Sequence, residues 1–152
     1  MKTIKELLSE HPFFHGLDDD WLELVAGCAS NSHLSPGSYL FHEGSAADTF
    51  YLIRRGQVAI EVATPTGPRV IQTVRDGDVV GWSWLVAPYR WTFDARATDE
   101  LSLIAFDGAC LRGKCNDDTD LGYALLQRVV RVMSASLHSA RVRLLDLYGA
   151  PT

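Results

Sequence analysis

Residues 41–58 read Phe41-His42-Glu43-Gly44-Ser45-Ala46-Ala47-Asp48-Thr49-Phe50-Tyr51-Leu52-Ile53-Arg54-Arg55-Gly56-Gln57-Val58. Glu43-Gly44 and Arg55-Gly56 are turn signals, because glycine supplies the positive φ that a tight reversal needs. Between them lies Phe50-Tyr51-Leu52-Ile53, a short apolar run of aromatic and branched side chains, and Val58-Ala59-Ile60-Glu61-Val62 opens the next one. The stretch is a strand, a tight turn and a second strand. The pattern continues on both sides. Pro36-Gly37 precedes it, and Thr66-Gly67-Pro68 and Arg75-Asp76-Gly77-Asp78 punctuate the chain beyond it. Val70-Ile71-Gln72-Thr73-Val74 and Leu101-Ser102-Leu103-Ile104-Ala105-Phe106 supply further strands. Strands of roughly four to six residues, with turns about every ten, mark a sandwich, barrel or jelly roll. A βαβ arrangement is not expected, because no helical pattern interrupts residues 34–107.

Helices are expected on both flanks. Residues 1–33 carry apolar side chains at helical spacing (Leu7, Leu8, Leu22, Leu24, Val25, Cys28). Pro12 and Gly16 break them into two short helices around the His11-Pro12-Phe13-Phe14 turn, and Asp18 starts the second. Phe13 and Phe14 are expected to pack against the strands. Residues 108–150 form the C-terminal helical segment. The polar cluster Asn116 to Thr119, with Thr119 as cap, starts a helix that runs to the break at Gly149 and Pro151. About thirty residues at 1.5 Å each span roughly 45 Å.

That helix has two apolar stripes. Leu121, Leu125, Val129 and Val132 form one; Tyr123, Leu126, Val130, Met133, Leu137, Ala140, Leu144 and Leu147 form the other. The second series alternates steps of three and four, as a heptad seam does. Two stripes need two surfaces. One is the chain's own β-domain. For the other we expect a homodimer joined through Leu126, Val130, Met133, Leu137, Ala140 and Leu144. Arg128, Arg131, Arg141 and Arg143 are expected to flank that contact as surface charges.

Composition limits the functional classes. The 152 residues suffice for one domain, and 47% apolar side chains can fill its core. A net charge of −5 argues against wrapping nucleic acid, which needs concentrated Lys and Arg. No apolar run exceeds four residues, so no membrane span is expected, and the charged first ten residues are unlike a signal peptide. Three cysteines, Cys28, Cys110 and Cys115, are a sparse, odd set that fits a reducing, cytoplasmic setting better than a disulfide framework.

The string from Phe41 to Val58 resembles the roll signature of cyclic nucleotide-binding domains, in which a Glu-Gly turn, small residues and an Asp precede an apolar strand and a second glycine turn. Pro36-Gly37 and Gly77-Asp78-Val79-Val80-Gly81 fall where that family has its turns. The resemblance, to an effector domain of the Crp/Fnr type, covers the chain from about His11 to the final helix. It implies a mainly β fold: a double-stranded, jelly-roll-like β-roll at residues 34–107, with N-terminal helices and a long C-terminal helix. It further implies a non-enzymatic regulatory domain that binds a ligand inside the roll. No nucleophile–base set or carboxylate pair points to an enzyme.

In that family a short phosphate-binding cassette holds the ligand, and here the matching segment is residues 81–97. The resemblance makes Gly81, Trp82, Ser83, Trp84, Leu85, Arg90, Trp91 and Thr92 the candidate ligand-binding residues. Ser134 and Ser136, midway along the last helix, match its base contacts. Gly81 allows close backbone approach, and free N–H groups at a helix start can hold an anion. Two departures stand out. Trp82 replaces the family's ribose-binding acid, and Trp91 replaces its phosphate-binding arginine, with Arg90 one position away and Thr92 matching the hydroxyl. A charge-assisted hydrogen bond contributes about 1.5–3 kcal/mol. Losing two weakens a complex roughly 10²- to 10⁴-fold, at about 1.4 kcal/mol per decade.

Three ligand states stay open: a cyclic nucleotide, a different small molecule held by aromatic walls, or no ligand, with rings filling the interior. No resident cofactor is implied beyond such a ligand. Cys110 and Cys115 read as structural, and His11 and His15 flank Pro12 in a turn rather than holding a metal. A cupin-type metal site would need more histidines than His42-Glu43 offers. A protein partner reading the last helix is a further expectation. Because the sequence stops at Thr152 with no recognition helix after that helix, direct DNA binding is not expected.

Overall fold

The computed structural model describes residues 1–149; Ala150 and Pro151, expected at the end of the helical segment and at its break, lie outside the described residues. Helices α1 (Ile4–Glu10) and α2 (Asp19–Ala26) flank a 3-10 turn, Pro12–Phe14. Asp18 caps α2 by accepting from the Asp20 amide, as its place before the helix implies. Eight strands come next: β1 (Ala29–Leu34), β2 (Tyr39–Phe41), β3 (Thr49–Arg55), β4 (Gln57–Thr64), β5 (Gly67–Arg75), β6 (Val79–Val80), β7 (Asp94–Ala97) and β8 (Leu101–Asp107). Helices α3 (Gly108–Asp117) and α4 (Thr119–Gly149) close the chain.

The strands pair antiparallel in two four-stranded sheets, ordered β1-β8-β3-β6 and β2-β7-β4-β5. Alternation on β3 and β8 explains their unbroken apolar runs. Phe50 and Leu52, with Ile104 and Phe106, face the helices. Ile53, with Leu101 and Leu103, faces the roll interior beside Val58, Ile60 and Ala95. A sheet covered on both faces has no polar side to show. Phe13 and Phe14 pack as expected, with ring centroids 5.2 Å from Phe50 and 5.6 Å from Phe106 respectively.

Three boundaries differ from the sequence reading. The N-terminal helical segment ends at Ala26, and Ala29–Leu34 is a strand whose six residues register with β8. Its side chains are mostly polar, so its extended form comes from backbone pairing rather than propensity. Asn116 and Asp117 close α3 instead of opening the long helix. Asp118, not Thr119, caps α4: its Oδ1 accepts from the Leu121 amide, and its Oδ2 from the Trp21 indole at 3.0 Å.

The cysteine reading is also corrected. Cys28 and Cys110 form a disulfide, with Cα atoms 5.7 Å apart across 82 residues of sequence. Pairing of β1 with β8, continued by the Asp107 amide donating to the Cys28 carbonyl, sets Cys28 beside the first turn of α3. Cys115 is the free thiol, half-buried, and burial raises its pKa.

On α4 the first stripe does what its pattern implies. Leu121, Leu125 and Val129 are buried against the helices and the first sheet, and Val132 is half-buried. The second stripe stays largely open: Leu126, Val130, Leu137 and Leu144 are about half exposed, while Met133 and Ala140 are half-buried.

Candidate functional site

A cavity of about 320 Å³ lies between α4 and the roll. Its roll wall comes from Gln72, Thr73 and Val74 of β5, Ile60 of β4, and the segment Gly77–Val79. Pro12 and Phe13 close one end. Gly81, Trp82 and Phe93 bring the cassette to it, and Arg128, Arg131, Val132, Ala135 and Ser136 line it from the helix. Positions 128, 131, 132, 135 and 136 follow helical spacing, so one face of α4 carries all five. That spacing is the sequence signal for Arg128 and Arg131, which belong to this inner face rather than flanking the dimer surface alone.

Of the residues expected at a ligand site, Gly81, Trp82 and Ser136 line this cavity. Ser136 also donates from Oγ to Gln72 Oε1 across the cavity wall at 3.4 Å. The others do not. Ser83 and Trp84 are buried, and the Trp84 ring stacks on Phe50 at 4.8 Å, in the core beneath the helices. Leu85 packs against the same core. Thr92 is exposed outside the cavity. Ser134 points the other way, into a groove on the outer face of α4 lined by Tyr123, Leu126, Val130 and His138. Arg131 and Ala135 line both that groove and the cavity.

Arg90 and Trp91 take opposite directions. Arg90 is exposed and does not line the cavity, and its Nη1 donates to the Gly44 carbonyl at 3.1 Å. Trp91 turns inward and is 3% exposed, with its ring stacked on Phe41 at a centroid distance of 3.6 Å. Two backbone pairings fix this: the Gly44 amide to the Trp91 carbonyl and the Trp91 amide to the Ser45 carbonyl. At Gly81, φ is +75°, and a Cβ there would come within 2.8 Å of the Trp91 ring and 3.2 Å of Phe93. The space beside this glycine is thus filled with indole.

The cassette is tied down from α3. Arg112 Nη1 donates to the Trp84 carbonyl, and its guanidinium lies 4.1 Å from the centre of the Tyr89 ring. The Tyr89 carbonyl in turn accepts from the Ala47 amide.

Charge on the cavity wall is uneven. Arg128 donates from Nε to the Phe13 carbonyl and from Nη2 to the His15 carbonyl, both at 2.9 Å, which holds the N-terminal turn against α4. Burial, and then the neighbouring Arg131, lower its pKa. Among the described residues Arg131 pairs with no carboxylate. Asp78 is the one acid on the wall, and its Oδ2 accepts from the Arg75 amide. Arg143 is not a free surface charge either, since its Nη1 donates to the Ile71 carbonyl.

Comparison with known proteins agrees with this architecture. A cyclic nucleotide-binding protein of Geobacter metallireducens GS-15 superposes with a TM-score of 0.79 at 30% identity, over 91% of this chain and all of that one. Cyclic nucleotide-gated ion channel 18 of Arabidopsis thaliana is 29% identical over 141 residues, 84% of this chain but only 20% of the channel. A cGMP-dependent protein kinase of Caenorhabditis elegans is 26% identical over 80 residues, 51% of this chain and 10% of the kinase. The chain thus spans a fifth or less of these two relatives. Among the described residues no helix is long and apolar enough to cross a membrane. The family model for the cyclic nucleotide-binding domain matches residues 32–118, more than half of the sequence, and the chain belongs to that family.

Proposed function

We propose that the chain is a non-enzymatic regulatory domain that takes a small ligand between its β-roll and α4 and passes occupancy to that helix. The observation that carries this reading is the 320 Å³ cavity, which has the cassette residues Gly81 and Trp82 on one side and Arg131, Val132, Ala135 and Ser136 on the other. A ligand that bridges these walls stabilises one position of α4 over others, which is a population shift. The apolar seam through Leu126, Val130, Met133, Leu137, Ala140 and Leu144 then carries the signal to a second copy, or to a protein partner.

The ligand is held differently from a cyclic nucleotide in its relatives. Trp82 supplies no ribose-binding carboxylate, Trp91 occupies the space beside Gly81, and Arg90 is turned to the Gly44 carbonyl. Cyclic AMP and cyclic GMP are expected to bind weakly, roughly 10²- to 10⁴-fold below a domain with both contacts. Titration of each, followed by tryptophan emission and melting temperature, measures this.

A second reading is favoured by the buried Trp91–Phe41 stack: a ligand-independent interaction module whose roll interior is plugged. Native mass spectrometry of protein purified from its own host separates the two readings. A retained small molecule supports the first. Bare protein, with no response to any nucleotide or aromatic compound, supports the second.

A further inference from the structure

The cavity wall combines flat rings with one unengaged cation. Trp82, Phe93 and Phe13 are the aromatic residues that line it. Counting formal charges, Arg128 and Arg131 against Asp78 leave the wall with a net +1. The two guanidinium groups are not equivalent. Arg128 already gives Nε and Nη2 to backbone carbonyls, whereas Arg131 is exposed and has no carboxylate partner among the described residues. Asp78 does not neutralise the wall, and its Oδ2 is engaged by the Arg75 amide. An anion entering this cavity therefore meets one guanidinium that is exposed and has no carboxylate partner among the described residues, and that side chain pairs well with a planar carboxylate.

On the cassette side, a Cβ at Gly81 would meet the indole of Trp91 at 2.8 Å, so an aromatic ring is packed directly against this glycine. A singly charged group matches the +1 wall, whereas a dianionic phosphate monoester would leave uncompensated charge. A cyclic nucleotide is also a monoanion, and what counts against it is the lack of a ribose-binding acid at Trp82.

We propose that the cavity takes a flat aromatic monocarboxylate, its ring between Trp82 and Phe93 and its carboxylate on Arg131. This rests on the reading of the cavity as a ligand site and adds the chemical class of the occupant.

The test is isothermal titration calorimetry on the full chain with benzoate, 1-naphthoate and indole-3-acetate. Each is paired with its neutral amide, and cyclic AMP is run alongside. The expected result is that at least one acid binds about tenfold or more tightly than its own amide. In Arg131→Gln that preference disappears while the amide's affinity is kept, and Arg131→Lys restores part of it. Because Arg131 is exposed, both variants should keep the wild-type melting temperature, which checks that they fold. Acid and amide binding equally, or a preference that survives Arg131→Gln, overturns the role of Arg131 but leaves the cavity a ligand site. Cyclic AMP binding more tightly than every acid overturns the ligand class and keeps the regulatory reading. If none of the compounds binds at about 1 mM, a level that corresponds to roughly 4 kcal/mol, both fall.

Discussion

At Gly56 the chain reverses with φ at +116°, and a Cβ would stand 2.6 Å from the Glu100 carbonyl oxygen. Backbone strain and a backbone clash coincide there, so Gly56→Ala should lower stability by about 2–4 kcal/mol, read as a shift in urea midpoint. The turn glycine was legible in the sequence, because a reversal between two apolar strands demands one. Arg131 is the opposite case: helical spacing sets it on one face with Arg128, Val132 and Ser136, but only the approach of β5 and the cassette gives that face a cavity. Trp91 is intermediate, since its identity flagged an altered cassette but not which way its ring would turn. His11 carries a further consequence. It is 5% exposed, its Nε2 lies 3.0 Å from the Ile53 carbonyl, and its Nδ1 accepts from the Phe13 amide. Burial lowers its pKa, so below about pH 6.5 the unfolded chain takes up a proton that the folded one refuses. Stability should fall from about pH 6.5 downward until the lowered folded pKa is passed. Urea midpoints measured across that range should flatten in His11→Gln.

Among the elements, α4 declared itself through stripes at helical spacing, and β3, β4, β5 and β8 through short branched runs between turns. Strand β1 was hidden because Ser30, Asn31, Ser32 and His33 have little strand preference. Its form depends on β8, about seventy residues away in sequence. The same distant pairing hid the Cys28–Cys110 disulfide. Closing a loop of 82 residues restricts the unfolded chain, so reduction should lower stability by about 2–5 kcal/mol. Urea melts with and without a dithiol reductant measure this. A thiol count in denaturant should give one reactive group before reduction, from Cys115. The disulfide joins the end of α2 to α3, and α3 in turn holds the cassette through Arg112, so the linkage should also stiffen one wall of the cavity.

For the whole molecule, the second stripe of α4 is the surface through which the proposed homodimer would form. Leu137 is 52% exposed, and the fold of one chain does not need it. Leu137→Asp should therefore leave the melting behaviour of the single chain intact while converting dimer to monomer, read as halved mass by light scattering. Unchanged mass would remove the seam as the contact. Arg131 and Ala135 line both the inner cavity and the outer groove, so under the proposed function an inner occupant is expected to act on self-association through them. Whatever factor an inner occupant adds to self-association, self-association must return to that occupant, so apparent affinity should rise with protein concentration. A cell could then tune the domain's sensitivity simply by how much of the protein it makes.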